Sequence, residues 1–296
     1  MGGFSSRYVY RAFRVLKDMV SDEECTVFLG FTANLIATGL RGLIAKLVER
    51  GFVDVIVTTG GAVDHDVARA RGGEYFKGEF ELDDEMLRQL DIHRLGNVLV
   101  PLESYGPIIE GFVHEVLDDL TREKEEWTPS ELLREMGRRL NDPNSFLYKA
   151  AMRGVPVFSP GIVDSAVGTA LLTYSDVLRS RGGGFKLDVL GDMRAIADIV
   201  YSSKKLGALI LGGGITKHHI IWWAQFKGGL DYAVYICTAV EWDGSLSGAR
   251  TREAISWGKI KPKARHVTVP ADATIVFPLI ALPLLGESID RRRRSR

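Results

Sequence analysis

The chain has 296 residues, 46% of them hydrophobic, enough for a sizeable core in one large domain or two modest ones. Its formal charge is zero, but the terminal RRRRSR holds five arginines; without them 33 basic residues are outnumbered by 38 acidic ones, which argues against a basic groove for nucleic acid. Two cysteines, Cys25 and Cys237, with no CxxC, argue against a disulfide framework and a zinc site, and fit a reducing compartment.

In chain order, MGGFSSRYVYRAFRVLKDMV lacks the continuous apolar core of a signal peptide, and residues 1–25 read as an N-terminal helical segment. TVFLGF (26–31) reads as a buried strand and LRGLIAKLVERG (40–51) as a helix closed by glycine. VDVIVTT (53–59) is the next strand and runs into Gly60-Gly61. NVLVPL (97–102), VPVFSP (155–160), GALILGGG (207–214), DYAVYICTA (231–239) and HVTVPA (266–271) follow, most of them separated by helical stretches. β-branched runs without polar alternation predict strands covered on both faces, hence an α/β fold with a doubly wound, mostly parallel sheet. Residues 72–150 are more polar, and a helical excursion is expected near 103–153. There DLTREKEEWTPSELLREMGRRLNDPNS holds two helices split by Thr-Pro, the second opened by a capping-type TPSE. ATIVFPLIALPLLG carries two prolines and is too short to span a bilayer. The expectation is one catalytic domain over 26–287 with a basic, disordered tail over 288–296, in a soluble cytoplasmic protein without a resident metal.

Ligands of open parallel sheets bind beyond the carboxyl ends of the strands. Four predicted strand ends carry glycines with Asp, Ser, Thr or His: GGAVDHD, GIVDSAVG, GGGITKHH and AVEWDGSLSGA. Glycine lets backbone approach a phosphate, a following helix N-terminus favours the anion, and a nearby carboxylate accepts from ribose hydroxyls. None is a G-x-G-x-x-G, and each alone fits an ordinary turn; together they point to a large polar ligand such as a dinucleotide.

REAISWGKI (252–260) places Glu253, Trp257 and Lys259 in one short segment. If its end is extended, Trp257 and Lys259 face the same side, and an indole face can enclose an amine. Apolar surroundings disfavour the charged form of a lysine and free a nucleophile. The spacing equally fits a helix with one solvated lysine. His218-His219 likewise fits either a proton acceptor or a structural helix start.

These residues resemble the deoxyhypusine synthase family. The matching stretches are ANLIATG, VDVIVTTGGAVDHD, PVFSPGIVDSAVG, LGGGITKHHI, DYAVYICTA, EWDGSLSGARTREAISWGKI and VPADATIVFPL, over roughly residues 26–280. The resemblance implies a Rossmann-like NAD-binding fold. It implies transfer of the 4-aminobutyl group of spermidine, through an enzyme-lysine imine, to a lysine of the translation initiation factor 5A precursor. It also implies a homotetramer with active sites at subunit interfaces.

By that resemblance Lys259 is the nucleophile and His218 helps proton transfer, while Glu253 and Trp257 bind the polyamine. Asp64 and His65 stand where two glutamates are usual, and Gly244 and Ser245 lie near cofactor and amine. Asn34, Thr59, Gly60, Gly61 and Asp164 match cofactor-contacting positions, as do Gly213, Thr238, Asp243, Asp272 and Ala273. Thr169 and Leu246 replace aspartates that anchor spermidine, and Trp222 and Cys237 replace asparagines. A buried ammonium without a carboxylate is costly, so Asp64 and Glu241 are expected to supply charge. Two alternatives remain: aminobutyl transfer to a small amine such as putrescine, as in homospermidine synthases, and a non-catalytic NAD-binding homologue.

Overall fold

The computed structural model describes residues 3–289, and the arginine run expected to be disordered lies outside the described residues. Helix α1 (Ser5–Ser21) leads into β1 (Cys25–Phe31), and α2 (Ala33–Ala37) and α3 (Arg41–Glu49) precede β2 (Val55–Val57) and α4 (Gly60–Ala70). Next come β3 (Phe76–Lys77), α5 (Asp84–Gln89), β4 (Ile92–Leu95) and β5 (Val98–Pro101). The chain then runs through α6 (Gly106–Glu123), β6 (Glu126–Trp127), α7 (Pro129–Leu140) and α8 (Phe146–Arg153) to β7 (Val157–Phe158). The second half alternates: α9 (Ala166–Ser180), β8 (Lys186–Leu187), α10 (Val189–Ser202), β9 (Lys205–Leu211), α11 (Gly214–Gln225), β10 (Leu230–Cys237), α12 (Thr251–Ser256), β11 (Ile260–Pro270) and α13 (Ala273–Gly286).

Six strands form one sheet in the order β11-β10-β9-β1-β2-β7, and every neighbouring pair is parallel. From β1 the chain works outward through β2 to β7, then crosses to β9 and works outward the other way. The order therefore reverses between β1 and β9, where open α/β sheets leave a crevice for ligands. Alternate strand residues serve opposite faces, as the period of two requires. Val27, Leu29 and Phe31 join Leu16 of α1, Ile44 of α3 and Phe277 of α13 on one side. Phe28, Ala208, Ile210 and Tyr235 join Ile199 of α10 and Ile220 of α11 on the other. This is the doubly wound, parallel sheet the sequence predicts.

The α7 start carries the expected capping box: Thr128 Oγ1 accepts from Glu131 N, and the Glu131 carboxylate accepts from Thr128 N. NVLVPL does become a strand, β5, but outside the parallel sheet. It pairs antiparallel with β3 and β4 in a separate three-stranded sheet. The cause is local: only Gly96-Asn97, with Gly96 at φ 62°, separates β4 from β5, and a two-residue connection joins antiparallel strands only. Among the described residues no helix is long and apolar enough to cross a membrane.

Candidate active site

The carboxyl ends of the parallel strands bring the glycine loops together. Across the β1–β9 reversal, a Cβ on Gly212 would lie 3.2 Å from Thr32 Oγ1. A Cβ on Gly61 would lie 3.1 Å from that of Ala33, and one on Gly60 would fall 2.5 Å from Ser165 Cβ. Gly212 and Gly214 sit at φ 92° and 62°, a region that favours glycine. Between them a Cβ on Gly213 would fall 2.5 Å from Ser247 Oγ. Four long helices start on this edge: α4 capped by Thr59, α9 by Ser165, α11 after Gly213, and α13 capped by Asp272 ahead of Ala273. The N-termini of α4, α11 and α13 direct positive dipole ends there, whereas the first N–H groups of α9 are taken by Asp64 and Ser165. Asn34, Asp164, Thr238, Asp243 and Asp272 are all exposed at these loops. Asp243 accepts from Ser245 N at 2.7 Å, and Gly244 turns between them at φ 72°.

Lys259 stands at the entry to β11 and is 9% exposed, so the solvated-lysine alternative does not hold. Its Nζ is 5.0 Å from the Trp257 ring centroid. An extended segment is not what unites the pair. Helix α12 ends at Ser256, and Gly258 turns the chain at φ 68°. Lys259 N then donates to Ala254 O at 2.9 Å, a Schellman-type closure. Lys259 O accepts from Leu230 N of β10 at 3.0 Å, so its backbone is held on both sides. Trp257 itself is 67% exposed and covers the amine from the solvent side.

Helix α11 supplies the groups opposite. The exposed His218 stacks on Trp222, with centroids 5.7 Å apart and planes at 17°. Partial burial and the charge of Lys259 both lower its pKa from 6.5. Lys217, one residue earlier, feels the charges of Glu253 and Lys259. The sequence reading did not single out Lys217, although a signal existed. Thr216, Lys217, Ile220, Ile221 and Ala224 form the buried stripe of α11, and a lysine on such a stripe needs partners.

Three acids and bases expected at the ligand are placed otherwise. Asp64 is 1% exposed; its oxygens accept from Ala166 N and Val167 N, both at 2.9 Å, and from Tyr105 Oη at 3.0 Å. It pins the first turn of α9 instead of facing a polyamine. His65 Nδ1 lies 2.6 Å from Tyr75 Oη, and its ring is tilted against Tyr105 at 5.1 Å. Burial, aided by Arg69, pushes its pKa down to about 4, so it carries no charge at neutral pH. Glu241 meets Arg252 at 2.7 Å and Arg250 at 3.6 Å, which commits its charge. Among the described residues no cluster of three or more His, Cys, Asp or Glu suits a metal ion.

A doubly wound parallel sheet whose carboxyl edge carries glycine loops and helix N-termini, with a buried lysine beside α11, is the architecture of an α/β enzyme. The family profile described as deoxyhypusine synthase matches residues 1–283. A protein of Ignicoccus hospitalis named "Probable deoxyhypusine synthase" is 56% identical over 285 residues, covering 96% of this chain and 88% of its own. One of the same name from Pyrobaculum calidifontis is 53% identical over 293 residues, 97% of each chain. A crystal structure described as a candidate deoxyhypusine synthase from Entamoeba histolytica aligns with TM-score 0.67 at 27% identity, covering 99% of this chain and 91% of that one. The chain belongs to the deoxyhypusine synthase family.

Proposed function

We propose that this chain transfers the 4-aminobutyl group of spermidine, with NAD as cofactor and Lys259 as carrier, to a lysine of the translation initiation factor 5A precursor. Family membership also supports a homotetramer with active sites at subunit interfaces. The observation that carries the reading is a buried Lys259 under the Trp257 ring, 5.0 Å from its centroid, close enough to His218 of α11 to lower its pKa.

The residues fit a dinucleotide. Gly60 and Gly213 leave no room for a Cβ beside Ser165 and Ser247, and Gly61 little beside Ala33, so the loops close tightly around the N-termini of α4 and α11, which favour a diphosphate. Asp164, Asp243 and Asp272 offer exposed carboxylates for ribose hydroxyls. NAD when bound supplies acceptance and return of a hydride.

Lys259 attacks the imine carbon of oxidised spermidine, forms a lysine imine and expels 1,3-diaminopropane. The lysine of the factor precursor then displaces Lys259 from the same carbon. Each exchange needs a base for the incoming amine's proton, and His218 stands beside Lys259 to accept it. Glu253 holds a distal ammonium, and the Trp257 ring covers the reacting amine against water. Commitment of Asp64 and Glu241, with Thr169 and Leu246 in place of acids, favours as second reading a smaller acceptor such as putrescine.

A His218 pKa held below 6.5 keeps the imidazole unprotonated to lower pH than a free one. The acid limb of kcat/KM is therefore expected below pH 6.5, and a profile of rate against pH checks it. Gly213→Ala drives a Cβ into Ser247, 2.7 Å from its Cα, and is expected to weaken NAD at least about tenfold by titration. Labelled spermidine incubated with enzyme, NAD and the factor precursor tests the reading. Label in the factor supports it, label in homospermidine when putrescine is added supports the second, and label in neither refutes both.

A further inference from the structure

Lys217 is 2% exposed, and none of the steps above uses it. Its Nζ lies 2.7 Å from Leu246 O, 2.5 Å from Ala249 O and 3.4 Å from Ser247 O, with the Tyr235 ring centroid 4.6 Å away. Three carbonyls from one short loop thus converge on a single nitrogen. Each carbonyl only accepts, so each needs an N–H. An ammonium supplies three, whereas a neutral amine supplies two and turns a lone pair towards the third oxygen. The arrangement demands the charged form and leaves no lone pair for attack on carbon.

The same loop is tied down elsewhere. Gly214 N donates to Ser247 Oγ at 2.9 Å, and Gly248 N and Ala249 N reach Ser245 O at 3.1 and 3.2 Å. Directly upstream lie Asp243, Gly244 and Ser245, which in the proposed function stand at the mouth of the site. We propose that Lys217 is a positioning residue whose ammonium clamps the 245–249 loop onto α11 and sets that mouth, and that loss of its proton releases the loop. The inference deepens the proposed function, because the clamped mouth is where cofactor and amine enter.

Burial pushes Lys217 down to about 8. Cys237 at the end of β10 and Glu253 of α12 oppose that shift, while Arg250 ahead of α12 and Lys259 at the entry to β11 add to it. The Tyr235 ring packs below. Burial lowers the pKa while the three carbonyls favour the ammonium, so the clamp is complete well below pH 8 and is lost as the pH rises through the titration of Lys217.

Hydrogen exchange of the 243–250 segment, corrected for intrinsic rate and followed from pH 6.5 to 9.5, tests this without any substrate. Its failure is therefore separate from failure of the transferase reading. Protection in the wild-type protein is expected to fall about tenfold across pH 8 while β9 stays unchanged. Lys217→Met is expected to lack that protection at every pH and to raise KM for the amine more than it lowers kcat. Lys217→Arg, permanently charged, is expected to keep protection without the step. The wild-type series stands even if Lys217→Met fails to fold. A flat wild-type profile, or a borohydride-trapped adduct on Lys217, overturns the proposal.

Discussion

Lys259→Arg is expected to reduce aminobutyl transfer at least about a thousandfold while leaving NAD affinity within about threefold. The backbone of residue 259 is fixed from both sides, by Ala254 O and by Leu230 N, so the change is confined to the side chain. A guanidinium can still lie as a cation over the Trp257 ring. It cannot shed a proton at working pH, so it offers no lone pair to an imine carbon. Label transfer from spermidine and cofactor titration on the same preparation check both halves. Transfer within tenfold of wild type would mean that another amine carries the group. Lys217 would be the candidate, and its three carbonyl partners would then need another explanation.

Asp66→Ala is expected to have the largest effect on stability, a loss of about 3–5 kcal/mol. Asp66 is 0% exposed and accepts from Arg41 Nε, from Ser145 Oγ at 2.7 Å and from Leu147 N at 3.0 Å. It joins α3, α4 and α8 around one carboxylate. Alanine would leave the Arg41 guanidinium with Asp142, 2.6 Å away, as its remaining carboxylate. It would also orphan a buried hydroxyl and a buried N–H, each costly to leave unpaired. A fall in Tm on the order of 10 °C follows for a chain of this size, measurable by calorimetry. The effect reaches the site, because α4 begins with Gly60 and Gly61 of the crevice. A Tm change of only 1 or 2 °C would show that the pair adds little beyond filling its space.

The sheet was legible because its strands are short apolar runs bounded by glycines, and because βα alternation admits few topologies. β5 looked the same as the others in the sequence. Its partner was decided by a two-residue turn, which apolar content does not report. At the site, Lys259 and Trp257 were legible as neighbours, but Gly258 and not an extended backbone brings them together. Asp64 looked available because its partners are distant in the sequence, and Glu241 because its arginines, though near in sequence, reach it only through a turn. Asp64 is taken by backbone N–H groups 102 and 103 positions away, and Glu241 by arginines whose approach depends on the turn before α12. Lys217 was overlooked between conspicuous glycines and histidines, although the apolar residues after it place it on the inner face of α11.

The most direct test of the central claim, that Lys259 carries the aminobutyl group, is intact mass spectrometry after incubation with NAD and spermidine and trapping with borohydride. The account predicts a gain of one reduced aminobutyl group, mapped to Lys259 and absent from Lys259→Arg. An adduct on any other residue would contradict that assignment. No adduct with spermidine or with putrescine, in a protein that binds NAD, would contradict the transferase reading itself.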